Sequence, residues 1–248
     1  GQGGNITVQT GDEGVLIVDT QYAPLSDKIW IAISELSDRP LRYIINTHHH
    51  WDHTDGNQSL KQKFNAQVFG AAQDAHRIPV IDMHVSAQNP PDISNLNIRV
   101  LEVPGHTSGH IAYLIDDALF CGDVLFGGGC GRIFEGTAAQ MWDSLTQLGE
   151  LAGDTKVYCA HEYTLPNLKF ARSIDSKNEP LIQRIHHDTR ARMQQKPTIP
   201  STIALELSTN PFLWPLQNAF REQYADKANI AADGLSVFTD LRQRKDRY

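Results

Sequence analysis

Cysteine is scarce in this chain: Cys121, Cys130 and Cys159 are the only three among 248 residues. Three thiols do not suggest a disulfide scaffold, and they cannot supply the four thiolates of a Cys-rich structural zinc site. Long apolar runs are missing too, so no segment reads as a bilayer-spanning helix. Basic charge is in deficit, with 22 Lys and Arg against 29 Asp and Glu and a net charge of −7. That balance argues against general nucleic-acid binding. No internal repeat, low-complexity tract or signal peptide is visible, and the start at Gly1 without an initiator Met points to trimmed upstream residues. A cytoplasmic, monomeric protein without nucleic-acid or membrane partners is expected.

What is present describes an ordinary globular protein, 40% hydrophobic and 21% charged,. Its length can bury a sizeable core, as one large domain or a large one plus a small one. Val15–Val18 reads as a short buried strand that stops at Asp19. Residues 25–36 read as a helix with Ile29, Ile33 and Leu36 on one face. Leu41 to Asn46, rich in β-branched and aromatic residues, reads as a strand. A short helix over 60–64 and a strand over 66–70 follow, and the Pro-interrupted stretch 77–97 looks loop-like. Next come a strand over 98–103 and a hairpin of 111–115 with 118–121, turning at Asp116-Asp117. A helix over 141–151 and a strand over 155–159 complete this part. Beyond about Leu165 strand signals fade and helical periodicity dominates. The expected organisation is a mixed α/β domain over 1–164 and a smaller helical domain over 165–248.

The densest chemistry lies in Thr47-His48-His49-His50-Trp51-Asp52-His53, directly after a strand. Neutral imidazole and carboxylate suit borderline and hard divalent metals. If the extended geometry persists briefly, His48 and His50 point to one side, because side chains alternate along a strand. Asp52 and His53 then need a turn, which the polar, Gly-containing run to Asn57 can supply. A solvated His-rich loop is the plainer alternative; a tag would lie at a terminus and lack the interleaved acid. Further ligands decide between them. Asp19, His48, His106, Asp123 and His161 each stand at or just past the end of an apolar strand, where sites assemble in open α/β sheets. His48, His50, Asp52, His53, His106, Asp123 and His161 together suit two metal ions ~3.5–4 Å apart, with open coordination positions for chemistry.

His48-x-His50-x-Asp52-His53, Gly105-His106, Gly122-Asp123 and Ala160-His161 resemble the successive motifs of the metallo-β-lactamase superfamily. More narrowly, residues 47–53, Cys130-Gly131-Arg132-Ile133-Phe134-Glu135-Gly136-Thr137 and His161-Glu162-Tyr163-Thr164 resemble glyoxalase II, the hydroxyacylglutathione hydrolases. This likeness runs from about Thr47 to the C-terminus, through Asn210-Pro211-Phe212 and Arg242 to Asp246. It implies an α/β, four-layer αβ/βα sandwich with a C-terminal helical domain that contributes to glutathione binding. It assigns one metal to His48, His50 and His106 and the other to Asp52, His53 and His161, with Asp123 bridging. Asp52 and Asp123 are thereby the catalytic carboxylates. Zinc is the expected metal, with iron and manganese as alternatives. Asp19 matches a strand-end acid of the superfamily and is read as structural, while His49 and His110 stand at positions that do not ligate.

The substrate so implied is a 2-hydroxyacyl thioester of glutathione, such as S-D-lactoylglutathione, hydrolysed to D-lactate and glutathione by metal-bound hydroxide in methylglyoxal detoxification. Thiol pKa values are ~8.5, so the thiolate leaves with little proton donation. An amide or β-lactam nitrogen would ask for more help. The family's grip on the thiol peptide corresponds to Arg132, Phe134, Tyr163, Arg242 and Lys245. Arg clamps a carboxylate with two hydrogen bonds and Lys adds a point charge. Phe134 stands at a position that can be Tyr, so that hydroxyl is lost here. Without the resemblance, Arg242 and Lys245 read as a solvated helix end.

The segment before Thr47 looks more like other hydrolases of the superfamily, with Gly3-Gly4-Asn5-Ile6 where an Asp-Asn-Tyr-type segment is often found. A metallo-β-lactamase or lactonase on a divergent or engineered glyoxalase II scaffold is therefore the second expectation, and a non-catalytic metal-binding protein the third. Cys130 and the glycines before it read as small-residue packing, since no phosphate-loop Lys-Ser/Thr follows. Trp51 reads as a packing residue, His186-His187 as exposed, and the basic run 242–247 as solvated by default.

Overall fold

Continuous apolar runs, rather than alternating ones, mark strands covered on both faces, as parallel sheets require. Val15–Val18 is such a run and is wholly buried. The computed structural model describes residues 4–93 and 96–248. Gly3 of the divergent segment, and Ser94 and Asn95 of the Pro-interrupted stretch, lie outside the described residues. The strands are β1 Thr7–Gly11, β2 Gly14–Val18, β3 Leu41–Ile45, β4 Gln67–Ala71, β5 Met83–Val85 and β6 Ile98–Glu102, then β7 Ile111–Ile115, β8 Ala118–Gly122, β9 Leu125–Phe126, β10 Gly129–Cys130, β11 Lys156–Cys159 and β12 Ser201–Thr202. The helices are α1 Ser26–Ser34, α2 Trp51–Thr54, α3 Asn57–Phe64, α4 Ala138–Gly149 and α5 Thr164–Ile174, then α6 Glu179–Met193, α7 Ile203–Thr209, α8 Asn218–Ala228 and α9 Gly234–Asp246.

One five-stranded sheet runs β1-β2-β3-β4-β5, another β12-β11-β8-β7-β6, and β9 pairs with β10. From β2 to β5 the first sheet is parallel, and β1 is added antiparallel at its edge. A parallel step needs a crossover, and α3 supplies it between β3 and β4. Val15, Ile17, Ile33, Leu41, Ile44, Leu60, Ala66 and Val68 form the core under these elements. Burying each such Val, Leu or Ile fully contributes about 1.5–3 kcal/mol. Strands β6 and β7 pair antiparallel, from Ile98 opposite Ile115 to Glu102 opposite Ile111. Asp116 takes φ 51° at the turn into β8, a left-handed conformation its short polar side chain tolerates,.

The helical part starts its elements on side-chain caps. Thr137 and Gln140 form a reciprocal capping box for α4, Asn178 caps α6 and Asp233 caps α9,. Leu168, Ala171, Leu181 and Trp214 hold α5, α6 and the segment before α8 around one apolar cluster. The chain divides into two compact units. One contains residues through Glu102 with 109–116 and 120–122; the other contains 103–108, 117–119 and 123–248. Among the described residues, no helix is long and apolar enough to cross a membrane.

Strands β1, β9 and β10 lie where no element was expected, and two more stand where a loop or helices were expected. Met83–Val85 lies inside the stretch read as a loop and pairs parallel with β4. Ser201–Thr202 lies in the part read as helical and pairs antiparallel with β11. Three and two residues are too short to print a period-two pattern in the sequence. The strand before His48 also ends earlier, at Ile45, and Asp52 and His53 sit on the single helical turn α2 rather than in an irregular turn.

Candidate metal centre

Asp19, just past β2, organises the first cluster. Its Oδ1 accepts from the Thr47 amide at 2.9 Å and its Oδ2 from the Thr47 hydroxyl at 2.8 Å. The same Oδ2 stands 2.8 Å from His53 Nδ1. A carboxylate at Nδ1 fixes the proton there and puts the lone pair on Nε2, the nitrogen that a metal would take. The His53 carbonyl accepts from Thr20 N and Asn46 Nδ2, so the backbone of α2 is pinned as well. His48 Nε2 and His50 Nδ1 lie 3.1 Å apart, and His53 Nε2 lies 3.8 Å from Asp52 Oδ2. Ligand atoms of His48 and His50, of His48 and His53, and of Asp52 and His53 all fall within 4.8 Å of one another. His110 stacks on His48 with ring centres 4.5 Å apart. His49 goes elsewhere: its Nδ1 lies 3.1 Å from the buried carboxylate of Asp74, which also pairs with Arg77.

The second cluster is built in the other unit. His106 Nδ1 lies 2.8 Å from the Arg132 carbonyl. A carbonyl only accepts, so the ring proton sits on Nδ1 and Nε2 carries the lone pair. That Nε2 is 3.6 Å from Asp123 Oδ2, and His161 Nε2 is 3.3 Å from Asp123 Oδ1. One carboxylate thus offers one oxygen to each of two imidazoles. Gly131 lies against the backbone carbonyl of Asp123, its own amide donating to Val124 O at 3.1 Å. A Cβ at Gly131 would run into the Asp123 carbonyl. Gly131→Ala is therefore expected to lower metal affinity about 10–100-fold, the loss typical of disturbing a ligand's support. Metal titration of the variant checks this.

The donor set fits divalent metal. Ligands ~2.0–2.2 Å from a zinc ion place neighbouring donor atoms ~3–3.6 Å apart. The contacts at 3.1, 3.3 and 3.6 Å fall within that span, and the Asp52–His53 contact at 3.8 Å lies just outside it. All donors are nitrogen or oxygen. The three thiols are buried, and burial pushes Cys159 up to about 12, so a thiolate ligand is disfavoured,.

A family model described as the hydroxyacylglutathione hydrolase C-terminus matches residues 162–248, and one for the metallo-beta-lactamase superfamily matches 1–102 and 72–161. A hydroxyacylglutathione hydrolase from Shewanella sp. (strain ANA-3) is 47% identical over 217 residues, covering 83% of this chain and 81% of that protein. The chain belongs to the hydroxyacylglutathione hydrolase family. Its relative in Rhodospirillum rubrum is 44% identical over 220 residues, covering 88% of this chain and 85% of that one. At the level of fold, the crystal structure of ETHE1 from Myxococcus xanthus matches with a TM-score of 0.64 at 24% identity, covering 97% of this chain and 93% of that one. The α/β metallo-β-lactamase fold expected from the motifs is the fold observed.

The five residues expected to grip the thiol peptide differ in how much freedom they keep. Tyr163 is 49% exposed and stacks on His161 with ring centres 4.9 Å apart. Phe134 is 62% exposed and meets the His106 ring edge-on at 5.1 Å. Arg132 is exposed as well. Lys245 lies over the Phe170 ring, and partial burial, then Arg242, lower its pKa. Arg242 is not a solvated helix end. It is buried, donates to Cys130 O at 3.1 Å and to Asp246 Oδ1 at 2.7 Å, and covers the Phe212 ring. Trp51 is 66% exposed and packs one face on Tyr22, whereas Cys130 is buried and His186 and His187 are exposed, as expected.

Sequence reasoning missed Asp74 behind His49, and a buried network in the helical part. There Arg184 bonds Asp188, Thr209 and Glu206, and Glu206 accepts from Gly128 N and Asn210 Nδ2. The spacing of Arg184 and Asp188 on α6 was a readable signal; nothing local pointed to Glu206.

Proposed function

We propose that the chain is a binuclear metal-dependent thioesterase that hydrolyses 2-hydroxyacyl thioesters of glutathione, S-D-lactoylglutathione to D-lactate and glutathione. On this reading His48, His50 and His106 hold one ion, Asp52, His53 and His161 the other, and Asp123 is shared. Zinc is the proposed metal, iron and manganese the alternatives. The observation that carries the reading is the Asp123 carboxylate, with one oxygen beside His106 and the other beside His161. A divalent pair held there would supply an acidified water and polarisation of the scissile carbonyl. The chain's own groups do the rest. Asp19 and the Arg132 carbonyl aim His53 and His106, and Tyr163 and Phe134 flank the second cluster. Arg132 and Lys245 are the cations for the carboxylates of the thiol peptide. Arg242 acts by fixing Cys130 and Asp246 around them. A thiolate leaving group needs no dedicated acid.

Residues 1–164 supply the metal chemistry, and 165–248 supply Arg242 and Lys245. The protein is read as a cytoplasmic monomer with no nucleic-acid or membrane partner, and the net charge of −7 supports excluding nucleic acid,.

Metal analysis coupled to hydrolysis of lactoylglutathione tests the whole. Hydrolysis should disappear on chelation and return with metal. Efficient β-lactam hydrolysis without thioester turnover would sink the assignment. Lys245→Ala should raise KM for the glutathione thioester about 10-fold with kcat nearly unchanged, the pattern of a lost binding contact. A lactonase or β-lactamase using the same ligands would be indifferent to it.

A further inference from the structure

We infer that a cleft lined by residues of α8 and α9 and the end of α5, apart from the metal clusters and the thioester grip, binds a small organic phosphate. Its volume is 480 Å³, within the ~300–1,000 Å³ of ligand pockets,. Lys177, Lys227 and Arg244 line it against one acid, Asp175. In a chain of net charge −7 this is a local reversal of sign. Asp175 turns inward to its own loop, accepting from the Lys177 amide at 3.0 Å. Among the described residues, no carboxylate forms an ion pair with any of the three cations.

Arg244 is also held ready. It donates to the Tyr224 hydroxyl at 2.7 Å, and that hydroxyl donates to Asp240 at 2.7 Å. Tyr224 is only 8% exposed, so the chain Asp240–Tyr224–Arg244 is anchored at its centre. A guanidinium has five donors in a fixed fork, and one bond to a phenol leaves enough for bidentate contact with phosphoryl oxygens. The apolar lining is Ile174, Ala228 and Phe220, the last stacked on Tyr224 with ring centres 5.6 Å apart. Bare phosphate would fill little of the cleft and leave this surface wet. The chemistry that uses both parts is a phosphoryl group carried on a flat, apolar body.

Isothermal titration of the metal-loaded protein with adenosine 5′-monophosphate, inorganic phosphate and adenosine tests the inference. Saturable binding of the monophosphate is expected, at least 10-fold tighter than either fragment. Lys177 and Lys227 are exposed, so the double variant K177Q/K227Q should keep its fold while weakening binding at least 10-fold. Tyr224→Phe, which frees Arg244, should weaken it about 3-fold. Unchanged affinity in K177Q/K227Q would overturn the inference, because the ligand would then sit elsewhere, the metal centre included. Absence of saturable binding would overturn it too. So would inorganic phosphate matching the monophosphate, or adenosine matching it, since each removes one half of the recognition.

Discussion

Asp123→Asn is expected to abolish most of the thioesterase activity, by about three powers of ten, more than the 10–100-fold cost of disturbing an outer support. The substitution keeps the shape and removes the charge. Asp123 places one oxygen 3.3 Å from His161 and the other 3.6 Å from His106. An amide can offer only one acceptor atom, and its NH₂ group would face an imidazole nitrogen that also needs a cation. His106 and His161 stay in place, because the Arg132 carbonyl and the stacked Tyr163 hold them independently. The fold should therefore survive while metal is lost. Metal content by atomic spectroscopy, thermal midpoint and thioester turnover separate the outcomes. Full metal occupancy with a dead enzyme would assign Asp123 to chemistry alone. Unchanged activity would remove it from the centre.

How far the site could be read from sequence depends on how local each constraint is. Asp19, His48, His106, Asp123 and His161 stand at or just past strand ends, and the apolar runs that make those strands are local, so these candidates could be picked out in the sequence, whereas Asp52 and His53 sit on α2, beyond the reach of that signal. The expected reason for His48 and His50 facing one way was less secure. β3 stops at Ile45, and the backbone bends at Thr47 and His48; the two rings meet because Asp19 ties Thr47 and His53 into one knot. That tie spans distant segments and leaves no periodic trace. Arg242 shows the converse. A basic run at the end of a helix reads as solvated, yet its burial depends on Cys130, more than a hundred residues away in the chain. Strands β5 and β12 escaped for a simpler reason: they exist only because β4 and β11 offer them a ladder.

Glu206 makes the same point about distance through stability. Glu206→Ala is expected to destabilise the protein by about 3–5 kcal/mol, the cost of leaving a buried cation without its partner. Glu206 is fully buried. It receives Arg184 at 2.7 Å, the Gly128 amide at 2.8 Å and Asn210 at 3.0 Å. Asp188 remains 3.2 Å from Arg184 Nε, so the guanidinium would not be wholly abandoned. That argues for the lower end of the range, a fall in Tm of about 10 °C for a chain this long. The double change R184L/E206L should recover much of the loss, since apolar replacement of a buried pair is often neutral. Recovery will be incomplete, because the Gly128 amide and Asn210 would still lack their acceptor and the buried Asp188 would lose Arg184. The deficit has a place in the active site as well. Gly128 completes the turn into β10, and Gly131, next along the chain after Cys130, backs the Asp123 carbonyl. Glu206→Ala should therefore lower metal affinity as well as Tm. A fall in Tm with metal affinity untouched would show that the network supports the helices alone.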